Sequence, residues 1–260
     1  MTARPVPSSP VPSRPVPSRP GPALLLRHAA WWALDYAYAA ARQVQGLLSR
    51  TTPDTYTDPH PARRPAVLLL PGVYESWRFL EPLARDLFRH GHAVHVVAPF
   101  GLNRGSIPDM AELAAAALRD EDLRDVVIVA HSKGGLIGKA VMGRTDVRDR
   151  VLGMVAVNTP FSGSPYARLL PLRSVRAFLP DDEVLTALAA QRADNSRIVS
   201  AATVYDPHIP GGSALPGARL VRLATPGHFR SLTDPGLVPL LLAELERFAA
   251  GPSPVLCNNP

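Results

Sequence analysis

From Pro65 onward, short apolar runs alternate with segments of helical periodicity. Ala66–Leu70 reads AVLLL, Ala93–Ala98 reads AVHVVA, and Val126–Ala130 reads VVIVA. Val151–Val157, Ile198–Tyr205 and Ala218–Leu223 continue the series. None of these runs alternates strictly between apolar and polar, which is the pattern of strands buried on both faces. Between them, Arg78–His90, Met110–Arg119 and Gly134–Met142 are predicted helices, and Leu237–Phe248 closes the series. Strands alternating with helices predict an α/β fold: a mostly parallel sheet with helices on both faces. In such sheets ligands gather beyond the carboxyl ends of the strands, so residues just after each strand are the candidates for chemistry.

The first 64 residues follow other rules. PVPS recurs from Pro5, Pro10 and Pro15, a repeat with no apolar face, so residues 1–22 are expected to be a disordered, polyproline-II-like arm. Ala23–Leu48 is alanine-rich, carries Trp31, Trp32, Tyr36 and Tyr38, and reads as a helix. Arg27 and Asp35 interrupt it, so it is neither a convincing span nor a signal peptide, and a cytoplasmic chain is expected. Two readings stay open for it: a helix packed on the body of the protein, or one lying at a membrane interface with its tryptophans as anchors. Thr51–Arg64 reads as a polar linker, 65–250 as the α/β domain, and 251–260 as a tail.

Composition narrows the function. The chain has 260 residues, is 46% hydrophobic, and holds a single cysteine, Cys257, so neither an intramolecular disulfide nor a thiolate metal cage is expected. The isoelectric point near 10 suggests nucleic acid, but residues 1–64 hold eight arginines against three aspartates while the rest is nearly balanced. The excess belongs to the N-terminal segment, and no nucleic-acid partner is expected. No phosphate loop or dinucleotide fingerprint follows a strand. His90, His92 and His95 straddle a helix end and a strand start without a carboxylate, a poor metal set.

The third run ends in Ala130-His131-Ser132-Lys133-Gly134-Gly135, and a helix begins at once. A serine squeezed between strand and helix projects its hydroxyl above the sheet edge, and small residues two before and two after it relieve the crowding. This is the arrangement of a nucleophile elbow, with Ala130 where glycine is usual. Such a serine needs a base, and the base an orienting acid. His228, in PGH after the last strand, is the candidate base; Asp206, in YDP after the preceding one, is the candidate acid. His208 comes too early in the topology, and Asp181, Asp182 and Glu183 lie in an insert. An oxyanion needs amide donors, for which Lys133, after the nucleophile, and Val73, in the Pro71-Gly72 loop after the first strand, are the candidates. The Lys133 side chain is expected to be solvated, with a substrate role as the alternative. Tyr74, Trp77, Phe79 and Phe100 are candidate walls of an apolar site.

These motifs, with LLLPG-V, Asn158-Thr159-Pro160-Phe161-Ser162-Gly163-Ser164 and YDPHIP, resemble the α/β-hydrolase superfamily, and within it bacterial serine esterases and lipases. The resemblance covers Pro65 to Ala250. It implies ester hydrolysis through Ser132, His228 and Asp206, a small-molecule or lipid ester as substrate, and no cofactor. Two features depart from the family pattern: Pro71-Gly72 stands where His-Gly is usual, and no antiparallel strand pair precedes Ala66. Residues 161–195 are expected to be a small helical cap, with Phe161, Leu169, Leu170 and Phe178 toward substrate, or else an ordinary crossover. The acyl acceptor stays open between water, an alcohol or an amine, as does thioester cleavage. So does a non-catalytic lipid-binding module docked through the proline arm.

Overall fold

The computed structural model describes residues 21–169 and 172–251. The expected arm lies outside them except for Gly21 and Pro22; Leu170 and all but the first residue of the tail, Cys257 among them, also lie outside.

Six strands form one sheet: β1 (Arg63–Leu70), β2 (His92–Val96), β3 (Val126–His131), β4 (Val151–Val157), β5 (Ile198–Thr203) and β6 (Arg219–Leu223). Their order is β2-β1-β3-β4-β5-β6, and every pairing is parallel. The helices are α1 (Pro22–Leu48), α2 (Glu81–Arg89), α3 (Ile107–Asp120), α4 (Lys133–Met142), α5 (Arg173–Arg176), α6 (Glu183–Ala190) and α7 (Leu237–Ala249).

Strand periodicity explains the two cores. Leu68, Leu70, Ile128 and Ala130 point to one face, where Ala111, Ala114 and Leu118 of α3 and Leu136 and Ile137 of α4 meet them. Val67, Leu69, Val127 and Val129 point to the other, against Leu83 and Leu87 of α2 and Leu241 and Leu245 of α7. Each such aliphatic side chain, taken fully out of water, contributes about 1.5–3 kcal/mol before chain entropy is counted. The helix expected over Arg78–His90 begins instead as a single 3-10 turn, Trp77–Leu80, and becomes α-helical at Glu81. The stretch read as a polar linker sends Tyr56 into the core, where its hydroxyl donates to Glu81 Oε1 at 3.0 Å.

α1 lies against the carboxyl-end side of this sheet. Arg42 donates to the carbonyls of Phe79 and Arg78, and Gln43 Nε2 to that of Tyr74 at 2.7 Å. Among the described residues no helix is long and apolar enough to cross a membrane.

Candidate active site

β3 delivers Ser132 with φ 51° and ψ −119°, a left-handed conformation that costs on the order of 1–3 kcal/mol for a non-glycine residue. The turn is tight enough that a Cβ on Gly134 would meet Leu70 O at 2.1 Å. α4 starts at Lys133, so the amides of its first turn have no partner within the helix. The Ser132 carbonyl accepts the Thr159 hydroxyl at 3.0 Å, which ties the elbow to the end of β4.

His228 follows β6 and Asp206 follows β5. Ser132 Oγ donates to His228 Nε2 at 2.9 Å, and His228 Nδ1 donates to Asp206 Oδ2 at 2.7 Å. Asp206 Oδ1 also accepts the amides of His208 and Ile209. Burial works against the Asp206 charge, but the imidazole of His228 and the hydrogen bonds from His208 and His228 outweigh it. Its carboxyl is held well below the usual carboxylate range. For His228, burial dominates and lowers its pKa. Asp206 opposes that, while His208 and His131 add to it.

Three groups that sequence reasoning missed hold this chain of hydrogen bonds in place. Asp35 of α1, fully buried, accepts the amides of His228, Phe229 and Arg230 at 2.9, 2.9 and 2.8 Å. Gly227 lies so close beneath it, at φ 118°, that a Cβ there would sit 2.4 Å from Asp35 Oδ1. Asn158, itself left-handed at φ 46°, donates to the His228 carbonyl at 3.0 Å and accepts the Thr203 amide at 3.0 Å. Beside the elbow, His131 Nδ1 faces Glu75 Oε2 at 3.0 Å and its Nε2 donates to the His228 carbonyl at 3.1 Å. Burial disfavours the charge on His131, yet the Glu75 carboxylate and the His228 carbonyl outweigh it and raise its pKa. The signal for Asp35 was in the sequence: Asp35 and Arg42 lie seven residues apart, on one helix face, in an otherwise apolar segment.

The Gly72 amide donates to Glu75 Oε2 at 2.7 Å, so that donor is already engaged. Val73 lines the same cavity as Ser132. Among the described residues the amides of Val73 and Lys133 carry no hydrogen bond. The Lys133 side chain is not solvated as expected. It is fully buried, donates to the carbonyls of Asn103 and Gly105 at 2.9 and 2.5 Å, and is pushed down by burial to about 8. It anchors the loop after β2 and is not among the residues lining the cavity over Ser132.

The cavity over Ser132 has a volume of about 1030 Å³. Tyr74, Phe79, Leu169 and Phe178 line it, and so do Trp32 and Tyr36 of α1. Tyr74 also bonds to Ser174 of the insert, 2.6 Å between hydroxyls. Trp77, Phe100 and Phe161 are not cavity walls: Trp77 packs in the core with α2 and α7, and Phe100 and Phe161 in the core with α3 and α4. Aromatic side chains near a motif satisfy the core as readily as a pocket, and here the core takes these three.

His208 reaches not Ser132 but Tyr36, whose hydroxyl donates to its Nε2 at 2.8 Å; its Nδ1 stands 3.7 Å from Asp206. His90, His92 and His95 each find a different partner: the Asp86 carbonyl, the Pro65 carbonyl and Glu121. Among the described residues Asp206, His208 and His228 are the grouping whose possible ligand atoms lie within 4.8 Å of one another. In that grouping Asp206 already holds the Nδ1 proton of His228.

The family described as alpha/beta hydrolase fold matches residues 65–205, more than half of the chain. The chain belongs to that family. Solved structures share its fold. This α/β hydrolase is similar to a lipase of Bacillus licheniformis in its mature form, at 17% identity and a TM-score of 0.56. That match covers 75% of this chain and 94% of that one. It is similar to a carboxylesterase of the thaumarchaeon Nitrososphaera gargenis at 11% identity and 0.54, covering 72% and 92%. It is also similar to the alpha/beta hydrolase domain-containing protein 10 of mouse at 11% and 0.52, covering 73% and 91%. At these identities the likeness is one of fold. No curated protein matches the sequence significantly. α1, with Asp35 and Gln43, lies outside the matched residues of this α/β hydrolase.

Proposed function

We propose that this hydrolase cleaves carboxylic esters with an apolar acyl chain through Ser132, His228 and Asp206. The observation that carries the reading is the unbroken hydrogen-bond chain from Ser132 Oγ through both ring nitrogens of His228 to Asp206. A serine hydroxyl is a weak nucleophile until a base takes its proton. His228 Nε2 is within reach of that proton, and its lowered pKa keeps it neutral and able to accept it. As Ser132 Oγ bonds to the ester carbonyl carbon, the proton passes to His228, and Asp206 stabilises the imidazolium through Nδ1. The oxyanion is received by the amides of Val73 and Lys133, each such donor contributing about 2.7–4 kcal/mol to transition-state stabilisation. His228 then returns the proton to the departing alcohol, leaving an acyl-enzyme. Water, deprotonated by the same imidazole, attacks the acyl carbon and releases the acid and free Ser132. The apolar lining of the cavity supports an acyl chain rather than a charged group as the buried part of the substrate.

A fluorophosphonate probe tests the nucleophile. Labelling is expected at Ser132, absent in Ser132→Ala and weakened in His228→Ala. A folded protein that leaves the probe unreacted overturns the reading. A series of p-nitrophenyl esters then tests the acyl preference: kcat/KM is expected to rise as the acyl chain lengthens from acetate.

A further inference from the structure

The side of α1 turned away from the protein is bare and apolar. Leu26, Leu47 and Leu48 are 72%, 85% and 75% exposed, with Leu25, Leu34 and Val44 also exposed along the same side and alanines between them. At about 1.5 Å per residue the helix runs about 40 Å. Its one acid, Asp35, is turned inward, and so is Arg42. The face therefore presents no negative charge. Arg27 flanks it, and the twenty residues ahead of Gly21 add Arg4, Arg14 and Arg19 with no acid.

We infer that this face seats the protein on an anionic lipid surface. Two observations choose lipid over a second copy of the chain. The first is charge: an apolar strip with a basic and acid-free N-terminal side complements negatively charged headgroups, since each basic residue near such a surface adds attraction. The second is continuity with the cavity. Trp32 and Tyr36 belong both to the outer side of α1 and to the cavity wall, and the exposed Tyr166, Leu169, Leu172 and Val204 complete the rim. A second copy seated there would cover the opening; a bilayer would lie against it and let an apolar ester pass from the lipid into the cavity. Delivery of substrate rests on the ester reading above; docking does not.

The test uses the full chain as Ser132→Ala, so binding is read without turnover. Cosedimentation is expected with vesicles of phosphatidylcholine and phosphatidylglycerol, and weaker binding with phosphatidylcholine alone or at high salt. The combined variant Leu26→Ser, Val44→Ser, Leu47→Ser, Leu48→Ser, made away from the cavity, is expected to bind at least about tenfold less while still labelling with fluorophosphonate when Ser132 is present. Trp32 gives a readout that needs no surface variant. Its emission is expected to shift to the blue and be quenched by brominated lipid, and Trp32→Phe, which keeps Trp31 and Trp77, is expected to lose most of that signal. Protein that stays in solution with both vesicle compositions overturns docking. Binding indifferent to phosphatidylglycerol and to salt overturns the anionic assignment. A dimer in solution that the combined variant dissociates assigns the face to a second copy instead. Fluorophosphonate labelling, measured separately, tells failure of docking from failure of the ester reading.

Discussion

Asp35 and His228 are 193 residues apart in the chain, yet the carboxylate of one accepts the amide of the other at 2.9 Å. The same carboxylate takes the next two amides on its other oxygen. These are the donors at the start of a helical turn, which need an acceptor from elsewhere, and here it comes from another helix. The position of the His228 ring over Ser132 therefore depends on α1. Asp35→Ala strands the buried His228 N–H, at about 1–3 kcal/mol, and the part-buried N–H groups of Phe229 and Arg230 at less. We expect a loss of about 2 kcal/mol or more in urea unfolding. We also expect kcat to fall about 100-fold with KM little changed, the scale of a 1 Å misplacement. Asp35→Asn separates positioning from stability. Its remaining oxygen still serves Phe229 and Arg230, while its NH₂ opposes the His228 amide, so kcat should drop with a smaller loss of stability. Wild-type kcat in both variants would refute the role.

The pH profile follows from the His228 environment. Burial, the largest influence, lowers its pKa below the ordinary 6.5, and His208 and His131 push the same way. In the proposed mechanism the base works when neutral, so activity is expected above its pKa and is lost as pH falls through it. The acid limb of kcat/KM is expected to have its midpoint below 6.5. His208→Gln removes one repelling neighbour, so that limb should move to higher pH. A wild-type midpoint at or above the ordinary histidine value would contradict the burial argument.

The strands were legible because burial on both faces leaves a local mark: Val126–Ala130 is apolar at every position, and the strand it predicts is buried at every position. Ser132 and Asp206 follow strands buried throughout; His228 follows β6, whose Arg219, Leu220 and Arg222 are exposed, and topological order rather than burial pointed to it. What escaped has no local mark that names its partner. Asp35 looks like a charge that spoils an apolar helix until its three amide partners are known, and nothing near residue 35 points to residue 228. Glu75 lies 56 residues from His131. Trp77 and Phe161 failed as pocket residues for another reason: an aromatic ring has the same composition in a core as in a cavity wall, and only packing tells them apart.

Glu75 joins two parts of the site, accepting the Gly72 amide and facing the His131 ring. Removing one partner of a buried ion pair costs about 3–5 kcal/mol, and Glu75→Ala is expected to lose that much and to free the loop carrying Val73. Linkage gives a sharper signature. The His131 pKa is raised in the folded protein, so its contribution is complete below the unfolded value of about 6.5 and is lost as pH climbs through the folded one. Stability measured by urea midpoints should therefore decline across that alkaline interval in the wild type, and the decline should flatten in Glu75→Gln. An unchanged slope would mean His131 is neutral in the folded protein.

Gly134 tests how closely the elbow is fitted to the sheet. The carbonyl of Leu70 would stand 2.1 Å from an added Cβ, with the Pro71 carbonyl at 2.9 Å. Both are backbone atoms at the end of β1, so no side-chain rotation relieves the clash, and α4 must move as a unit. Moving α4 shifts the Lys133 amide, and Ser132 with it, relative to Val73, which stays with β1. Gly134→Ala should cost about 1–3 kcal/mol or more from overpacking, and kcat should fall beyond what the lost stability explains. Gly21→Ala, at the N-cap of α1 where nothing lies within 4 Å, is the control and should cost at most about 1 kcal/mol from the weaker cap, with kcat unchanged. If the two variants behave alike in thermal melts and turnover, the elbow has slack that this contact does not allow.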